Sequence, residues 1–215
     1  MQKKDLNKID SLAIEKGEKL PLVEEFYSVQ GEGYHTGKAA YFIRIGGCDI
    51  GCSWCDSKIT WNPEYHPLVP IEDIVNNALK TKARAVVVTG GEPSLYNLAP
   101  LTSKLKENGI EIFLETAGTN HLTGEWDWIC LSPKKQSPPV SEIYNAADEL
   151  KVIIFSDDDF EWAEEAAKHV GKRCKLYLQS EWSMYKNNIS KIVDYVKENP
   201  KWNISLQAHK FMNIP

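Results

Sequence analysis

Short runs of valine, isoleucine and leucine alternate along the chain with segments of helical periodicity, and this alternation restricts the possible folds. Continuous apolar strands separated by helices are typical of parallel sheets covered by helices. The pattern predicts helices over 71–80, 97–108, 157–170 and 186–198. It predicts strands over 39–46, 83–91, 110–116, 126–132, 150–156, 174–180 and 202–209.

About six parallel strands are too few for the closed eight-stranded β/α barrel. We therefore expect an α/β fold in the form of a partial, open parallel β/α barrel. A chain of 215 residues, 42% of them hydrophobic, fills one core, so we expect a single domain over 21–215. Residues 1–20 are polar and predict an N-terminal arm, with one turn of helix around Leu12 to Glu15.

Charge and cysteine content narrow the possible environments. The net charge is −5 and no basic run exceeds two residues, so we expect no nucleic-acid partner. No segment approaches the roughly 20 apolar residues that span a bilayer. Five cysteines, three of them in one loop, fit a metal in a reducing compartment better than a disulfide framework. The sequence predicts a cytoplasmic protein without a membrane partner.

Polar residues follow several predicted strands at the point where each strand ends. In parallel α/β folds these ends lie on one side, and ligand-binding groups collect in the loops there. A cysteine-containing loop follows the first strand, and the sequence TGGEP follows the second. The later strands end near Glu115, Thr116, Ser132, Lys134, Gln179 and His209. The sequence predicts one binding site along this rim.

Three cysteines, Cys48, Cys52 and Cys55, lie close together without a fourth nearby. A structural zinc site needs four ligands, and a disulfide inside the loop would leave one thiol over. Cys130 and Cys174 fall within or at the start of predicted strands, where we interpret them as small packing residues. A 4Fe-4S cluster held by three thiolates keeps one iron with an open coordination position, so the loop favours such a cluster.

The spacing C-x-x-x-C-x-x-C, with Trp54 before the last cysteine, resembles the signature of the radical S-adenosylmethionine enzymes. In that family the open iron binds S-adenosylmethionine, and an electron from the cluster cleaves the cofactor to a 5′-deoxyadenosyl radical. TGGEP (89–93) resembles the family's glycine-rich motif, although alone it also makes an ordinary turn into a helix. The resemblance implies cofactor contacts from Trp54, Thr89, Gly90, Gly91, Glu115, Thr116, Ser132 and Lys134. An exposed loop lysine is the alternative for Lys134.

The stretch EEFYSVQGEG (24–33) does not form a phosphate-binding loop, because a glutamate stands where that motif requires glycine and the stretch precedes the first predicted strand. It offers an amide, Gln30, and a carboxylate, Glu32, which suit a flat heterocycle with several N–H donors. A turn that only caps the domain is the alternative interpretation.

The same stretch, followed by C-x-W-C-D, Y-L-Q, L-Q-A-H-K and a final I-P, resembles the 7-carboxy-7-deazaguanine synthases from about residue 21 to the last residue. The resemblance implies conversion of 6-carboxy-5,6,7,8-tetrahydropterin to 7-carboxy-7-deazaguanine, with ring contraction and loss of ammonia, on the route to queuosine. It also implies a magnesium requirement and a homodimer. The reaction needs an electron donor such as a flavodoxin or ferredoxin.

The resemblance assigns substrate contacts to Gln30, Gly31, Glu32, Arg44, Gln179, His209 and Pro215. Arg44 offers a forked donor for the substrate carboxylate. The terminal carboxylate at Pro215 would reach the exocyclic amine, with a frayed terminus as the alternative. Ser57 stands where the family commonly has threonine and is the expected magnesium ligand. Asp56 is expected either to act beside the cluster or to cap a helix.

Two other classes share part of this pattern. A glycyl-radical activating enzyme has the same cysteine spacing but acts on a protein, and it gives Gln30, Glu32 and the C-terminus no role. A non-catalytic iron-sulfur electron carrier would need four protein ligands and no pocket for S-adenosylmethionine.

Overall fold

One sheet of nine strands organises the computed structural model, which describes residues 10–215. The strands are β1 (Lys19–Val29), β2 (Ala39–Ile45), β3 (Leu68–Pro70), β4 (Ala85–Gly90), β5 (Glu111–Thr116), β6 (Trp128–Leu131), β7 (Glu149–Ile154), β8 (Lys175–Ser180) and β9 (Trp202–Ser205). Their order across the sheet is β3-β1-β2-β4-β5-β6-β7-β8-β9.

The helices of residues 10–215 are α1 (10–15), α2 (Ile71–Leu79), α3 (Ala99–Glu107), α4 (Ser141–Ala146), α5 (Asp158–Ala167), α6 (Tyr185–Glu198) and α7 (Ala208–Met212). Helices α2 to α6 cover the outer face of the sheet. Acidic residues occupy the first turns of α2 and α5, where they complement the positive end of the helix dipole. The helical turn expected around Leu12 to Glu15 lies in α1.

Seven neighbouring strands, β2 and β4 to β9, run parallel, whereas β1 pairs antiparallel with β2 and β3 antiparallel with β1. Helices α2, α3, α4, α5 and α6 each lie in a crossover between two parallel strands. The predicted partial, open parallel barrel is confirmed, with seven parallel strands where about six were expected.

Two apolar layers fill the space between sheet and helices. The first joins β1, β2, β4 and β5 to α2 and α3, and the second joins β6 to β9 to α4, α5 and α6. Trp202 is the largest fully buried side chain and belongs to the second layer. Alternate residues of the strands point the other way, into the barrel.

Aromatic rings close the barrel at the amino ends of its parallel strands. Ala40, Ala85, Val87 and Phe113 form a small buried cluster there. From the loop after β1, His35 stacks on Phe113 with ring centroids 4.1 Å apart, and Tyr34 stacks on Trp128 at 4.6 Å. The polar interior of the barrel therefore lies towards the carboxyl ends of the strands.

The structure differs from the sequence prediction in several elements, and strand β3 and helix α4 lie in segments where no element was predicted. Strand β1 was not predicted, and it includes Lys19 and Leu20 of the expected arm; a register shift between Leu22 and Glu24 interrupts the alternation that would have marked it. Strand β9 ends at Ser205, so His209 lies in α7 and not in the predicted strand over 202–209. No helix within residues 10–215 has the length and apolar character needed to cross a membrane.

Shortening a core side chain should destabilise the fold far more than the same change at the surface. We expect Leu114→Ala, at a fully buried position in β5, to lower the free energy of unfolding by about 2–5 kcal/mol. Leu79→Ala, at a position 39% exposed in α2, should cost about 1 kcal/mol or less. Urea denaturation followed by circular dichroism measures both, and equal losses would contradict this description of the core.

Candidate active site

A cavity of about 290 Å³ lies at the carboxyl ends of the parallel strands. Its wall is built by the loops that follow β2, β4, β5, β6, β8 and β9 and by the stretch that follows β1. Every residue that the sequence assigned to cluster, magnesium, cofactor or substrate lines this one cavity. The structure therefore brings the predicted residues together, while their individual roles stay predictions.

The loop after β2 carries the three cysteines at the cavity wall. The side-chain amide of Gln136 donates to Cys52 Sγ at 3.1 Å, and the backbone N–H of Ser57 donates to Cys55 Sγ at 3.4 Å. All five cysteines of the chain are free thiols. Hydrogen bonds to sulfur are characteristic of thiolates that hold iron-sulfur clusters, so this donor set fits a cluster.

The three thiols are not gathered around one point. Among residues 10–215, no three His, Cys, Asp or Glu side chains are grouped closely enough to hold a single metal ion. A cubane cluster offers a separate iron to each thiolate, so its three ligands do not have to meet at one ion.

Glycines allow the loop after β4 to pack against the cysteine loop. A Cβ added to Gly91 would lie 2.1 Å from Gly47 O and 3.0 Å from Cys48 Cβ, and one added to Gly90 would lie 2.1 Å from Ile45 O. The close approach in this structure is thus between two protein loops, which explains the glycines without a ligand.

Glu92, the last residue before the proline of TGGEP, is buried and joins two strand ends. Its carboxylate accepts hydrogen bonds from the hydroxyl of Thr116, from Ser94 N at 2.9 Å and from Ala117 N at 2.7 Å. Pro93 begins a short 3₁₀ turn, so the ordinary-turn interpretation of this motif is also correct. The Thr116 hydroxyl is therefore already engaged by the protein.

Lys134 is half-buried and is directed towards the cofactor side of the cavity. Its ammonium donates to the backbone carbonyl of Ser132 and to Ser132 Oγ at 2.8 Å, and it lies 5.9 Å from the centre of the Trp54 ring. Burial lowers the pKa of Lys134, while the nearby thiol of Cys52 and carboxylate of Glu92 act to raise it. This environment is not that of an exposed loop lysine.

The stretch after β1 crosses the inside of the barrel instead of capping it. Ala208 N donates to Gly31 O at 2.8 Å, Gly33 N donates to Ser205 Oγ at 2.9 Å, and Tyr34 N donates to Glu149 Oε2 at 3.1 Å. These contacts reach β7 and β9 on the far side of the sheet. Gln30 and Glu32 consequently form the floor of the cavity.

An ion-pair network lies on this floor. The ammonium of Lys151, 3% exposed in β7, is 2.6 Å from Glu32 Oε2 and 2.9 Å from Glu115 Oε2. Gln30 Nε2 donates to Glu115 Oε1 at 3.3 Å. The Glu115 carboxylate thus contacts protein groups from both sides, besides facing the cavity.

The charges in this network shift the pKa values of its members. Burial opposes ionisation of Glu32, but the charge of Lys151 and hydrogen bonds from Lys151, Gln207 and Gln179 lower the pKa of Glu32 to about 2. Burial also opposes charge on Lys151, but Cys130 and the carboxylates of Glu115, Glu32 and Glu149 raise its pKa well above the usual value. At neutral pH the floor therefore holds a charged Lys151 against a charged Glu32.

The C-terminal segment 207–215 forms the remaining wall. Lys210 Nζ lies 2.9 Å from Asp56 Oδ2, and the amide of Gln207 donates to Glu32 Oε1 at 3.0 Å. Ser28 Oγ donates to Pro215 O at 3.1 Å. Asp56 therefore binds Lys210 and does not cap a helix, and the terminus is tied to β1 instead of being frayed.

Two expected binding residues, Arg44 and Gln179, have partners that the sequence did not indicate. Arg44 Nε donates to Glu24 Oε1 at 2.7 Å, so a substrate carboxylate would have to use its Nη groups. Gln179 Oε1 accepts from the hydroxyl of Ser205 at 2.5 Å. Burial lowers the pKa of a third expected residue, His209, which favours its neutral imidazole.

Lys151, Glu92 and Gln207 line the cavity but were not predicted. Lys151 and Glu149 are charged residues at alternate positions of the otherwise apolar β7, a pattern that indicates one polar face turned into the barrel. Glu92 belongs to the TGGEP motif, but that motif was interpreted only through its two glycines. For Gln207, which follows the end of β9, the sequence carries no such signal.

The fold and the cysteine loop define a radical S-adenosylmethionine enzyme, and residues 42–130 match the model of the Radical SAM superfamily. More specifically, the chain belongs to the 7-carboxy-7-deazaguanine synthase family. It is 56% identical to the synthase of Flavobacterium psychrophilum over 98% of this chain and 100% of that protein. It is 46% identical to the synthase of Synechocystis over 90% of this chain and 93% of that protein.

A solved structure shows the same fold. The crystal structure of QueE from Escherichia coli matches with a TM-score of 0.81 and 29% identity, over 92% of this chain and 98% of that one. The similarity thus extends over nearly the whole of both chains.

Replacing a glycine at the contact between the two loops should disturb the cysteine site. We expect Gly91→Ala to displace the cysteine loop, because its Cβ would fall 2.1 Å from Gly47 O, and to reduce the iron retained after anaerobic reconstitution at least about threefold. Gly171→Ala is the matched control, since no atom lies within 4 Å of its added Cβ. Iron and sulfide per chain are the readout, and full retention in Gly91→Ala would refute the packing argument.

Proposed function

We propose that this chain converts 6-carboxy-5,6,7,8-tetrahydropterin to 7-carboxy-7-deazaguanine, with ring contraction and loss of ammonia. The observation that carries the proposal is the union of two features in one cavity: a loop with three free thiols and a floor bearing Gln30 and Glu32. Family membership over almost the whole chain supports the same reaction. Queuosine biosynthesis is the corresponding pathway.

On the cofactor side, Cys48, Cys52 and Cys55 would hold a 4Fe-4S cluster, which leaves one iron free for S-adenosylmethionine. With S-adenosylmethionine bound, this group would supply the radical chemistry that activates the C6 position of the pterin. The protein contributes binding and orientation, because the cofactor carries the difficult chemistry. The expected cofactor contacts are Trp54, Thr89, Gly90, Gly91, Glu115, Thr116, Ser132 and Lys134, all of which line the cavity.

On the substrate side, Glu32, Gln30 and Gln179 would bind the amino-oxo pyrimidine edge of the pterin. An ionised Glu32 accepts N–H donors, and its pKa of about 2 keeps it ionised at neutral pH. The Nη groups of Arg44 would bind the substrate carboxylate, and His209 would add a hydrogen bond above Gly31. No side chain is required as a nucleophile.

Magnesium would bind on the cysteine side of the cavity. The Ser57 hydroxyl lies there, 3.3 Å from Asp56 Oδ1, and supplies one hard oxygen donor. Magnesium in proteins keeps several waters and substrate oxygens, so one protein ligand is consistent with such a site. Lys210 already balances the charge of Asp56, which leaves Ser57 as the proposed ligand.

The remaining proposals follow from the sequence and the family. Reductive cleavage of S-adenosylmethionine needs a one-electron donor, which we take to be a flavodoxin or ferredoxin. Five free thiols suit the reducing cytoplasm. A homodimer is expected by resemblance, and the net charge of −5 argues against nucleic acid as a partner.

A glycyl-radical activating enzyme is disfavoured by the C-terminal segment. That segment lies along the cavity, with Lys210 bound to Asp56 and Ser28 bound to Pro215. These contacts narrow the approach that a protein substrate would need, but they leave room for a small molecule.

Anaerobic turnover tests the proposed function. Reconstituted protein with dithionite, S-adenosylmethionine, magnesium and the pterin should form 7-carboxy-7-deazaguanine, followed by mass and ultraviolet absorbance, without net consumption of S-adenosylmethionine. Cleavage of S-adenosylmethionine with an unchanged pterin would leave the radical chemistry standing and overturn the proposed substrate.

Moving the terminal carboxylate should weaken substrate binding. One glycine added after Pro215 removes the charge from the position that Ser28 holds, and we expect KM for the pterin to rise about 10–100-fold, the usual range for losing a charged hydrogen-bond partner. Pro215→Ala keeps a terminal carboxylate there and should change KM less than about threefold. Steady-state kinetics compares the two variants, and equal KM values would exclude this role for the terminus.

A further inference from the structure

Lys151 lies between the two halves of the cavity. Its side chain is 4% exposed, and its ammonium contacts Glu32, assigned to the substrate side, and Glu115, assigned to the cofactor side. We infer that Lys151 is a positioning residue that couples cofactor binding to substrate binding, by holding the Glu32 and Glu115 carboxylates in fixed positions as hydrogen-bond acceptors. The inference rests on the proposed function, because it needs one ligand on each side of the lysine.

A closed ring of contacts connects the two carboxylates. Lys151 joins Glu32 to Glu115, Gln30 Nε2 donates to Glu115 Oε1 at 3.3 Å, and Glu32 N donates to Gln30 Oε1 at 3.2 Å. A ligand that moves the Glu115 carboxylate therefore acts on two of the groups that position Glu32, Lys151 and Gln30. This connection is direct and needs no rearrangement of the fold.

The chemistry of Glu32 explains why its charge matters. An ionised carboxylate accepts about four hydrogen bonds, whereas a protonated one places an O–H against a donor. Oε2 accepts from Lys151 and Oε1 accepts from Gln207, so lone pairs remain for N–H groups of a pterin. Loss of the Lys151 charge would favour the protonated form of Glu32. Its O–H would then face an N–H donor of the pterin, and no hydrogen bond could form between the two donors.

The other charged and titratable groups around the ring do not replace Lys151. Burial raises the pKa values of Cys130 and Glu149, and these acidic groups carry no positive charge in either protonation state. The groups that face Glu32 or Lys151 from the other packed elements are Asp56, Lys134, Gln179, Gln207, His209 and Lys210. Of the cations among them, Lys210 pairs with Asp56 and Lys134 binds Ser132.

Removal of the lysine charge gives a prediction with a defined sign. In Lys151→Met, Glu32 stays buried without its cation, so the pKa of Glu32 should rise from about 2 towards the neutral range. Substrate affinity should then fall as the pH falls through this raised pKa, by up to about tenfold per pH unit. In the wild type the Glu32 contribution should be constant between pH 5.5 and 8.

Equilibrium binding of pterin-6-carboxylate, a stable fluorescent substrate analogue, tests this inference on the anaerobically reconstituted holoenzyme. Without reductant no turnover occurs, so dissociation constants can be measured at pH 5.5 to 8 with and without S-adenosylmethionine. In the wild type we expect S-adenosylmethionine to tighten analogue binding by about 5–150-fold, the usual range of coupling. In Lys151→Met we expect weaker, pH-dependent binding and loss of that tightening.

Two further variants separate charge from structure. Lys201→Met removes a lysine that pairs with Glu164 outside the cavity and should behave as the wild type. The double variant Lys151→Met with Glu32→Gln removes the lysine and one carboxylate together, so it avoids an unpaired buried Glu32 if the single variant does not fold. It should bind weakly but without pH dependence, because the group that titrates is gone.

The outcomes distinguish this inference from the proposed function. Wild-type affinity and coupling in Lys151→Met, or a pH-independent loss with coupling retained, would overturn the role of Lys151. If the wild type binds S-adenosylmethionine but not the pterin, the proposed substrate fails. In that case the role of Lys151 is tested by the affinity for S-adenosylmethionine alone. About tenfold weaker binding of S-adenosylmethionine to Lys151→Met would support the positioning of Glu115 by Lys151, and unchanged binding would refute it.

Discussion

The shared direction of seven parallel strands is the constraint on which the site depends. Because β2 and β4 to β9 run the same way, the loops at their carboxyl ends meet on one side of the sheet. The helices cover the outer face, and aromatic rings close the amino end of the barrel. The interior that remains is a polar cavity, and β1 and the C-terminal segment supply the parts of its wall that parallel strands do not.

Buried charge is the second determinant of this site. A lysine or glutamate inside a barrel is tolerated when it is paired, and loss of one partner from a buried pair typically costs about 3–5 kcal/mol. Lys151 is paired with two carboxylates, while Glu92 accepts three hydrogen bonds. The lowered pKa of Glu32 means that its ionised form stabilises the fold above about pH 4.5 and that this contribution is lost as the pH falls towards 2. Over the neutral range the floor of the cavity is therefore a fixed set of acceptors.

Much of the fold was predictable because the periodicity of apolar residues indicates which side chains are buried. Strands β2 and β4 to β8 are apolar runs, and the acidic residues that begin α5 mark that helix correctly. Strand β1 escaped prediction because its register shift breaks the alternation, and the end of β9 was misplaced because its alternating pattern continues past the last pair with β8. The cysteine loop and the Gln30–Glu32 stretch were recognisable from spacing and residue type. The ring through Lys151 was not recognisable, because it joins Lys151 to Glu32, more than one hundred positions away in sequence, and only the folded barrel brings the two residues into contact.

The measurement that tests the central claim most directly is the electron paramagnetic resonance spectrum of the reduced, reconstituted protein, recorded without and with S-adenosylmethionine. Three thiolates and an open iron predict a reduced 4Fe-4S signal whose g values shift when S-adenosylmethionine is added, because the cofactor becomes a ligand of the cluster. A reduced cluster whose signal does not change on addition of S-adenosylmethionine would contradict the account, since the cavity would then lack the open coordination position around which its other groups are arranged.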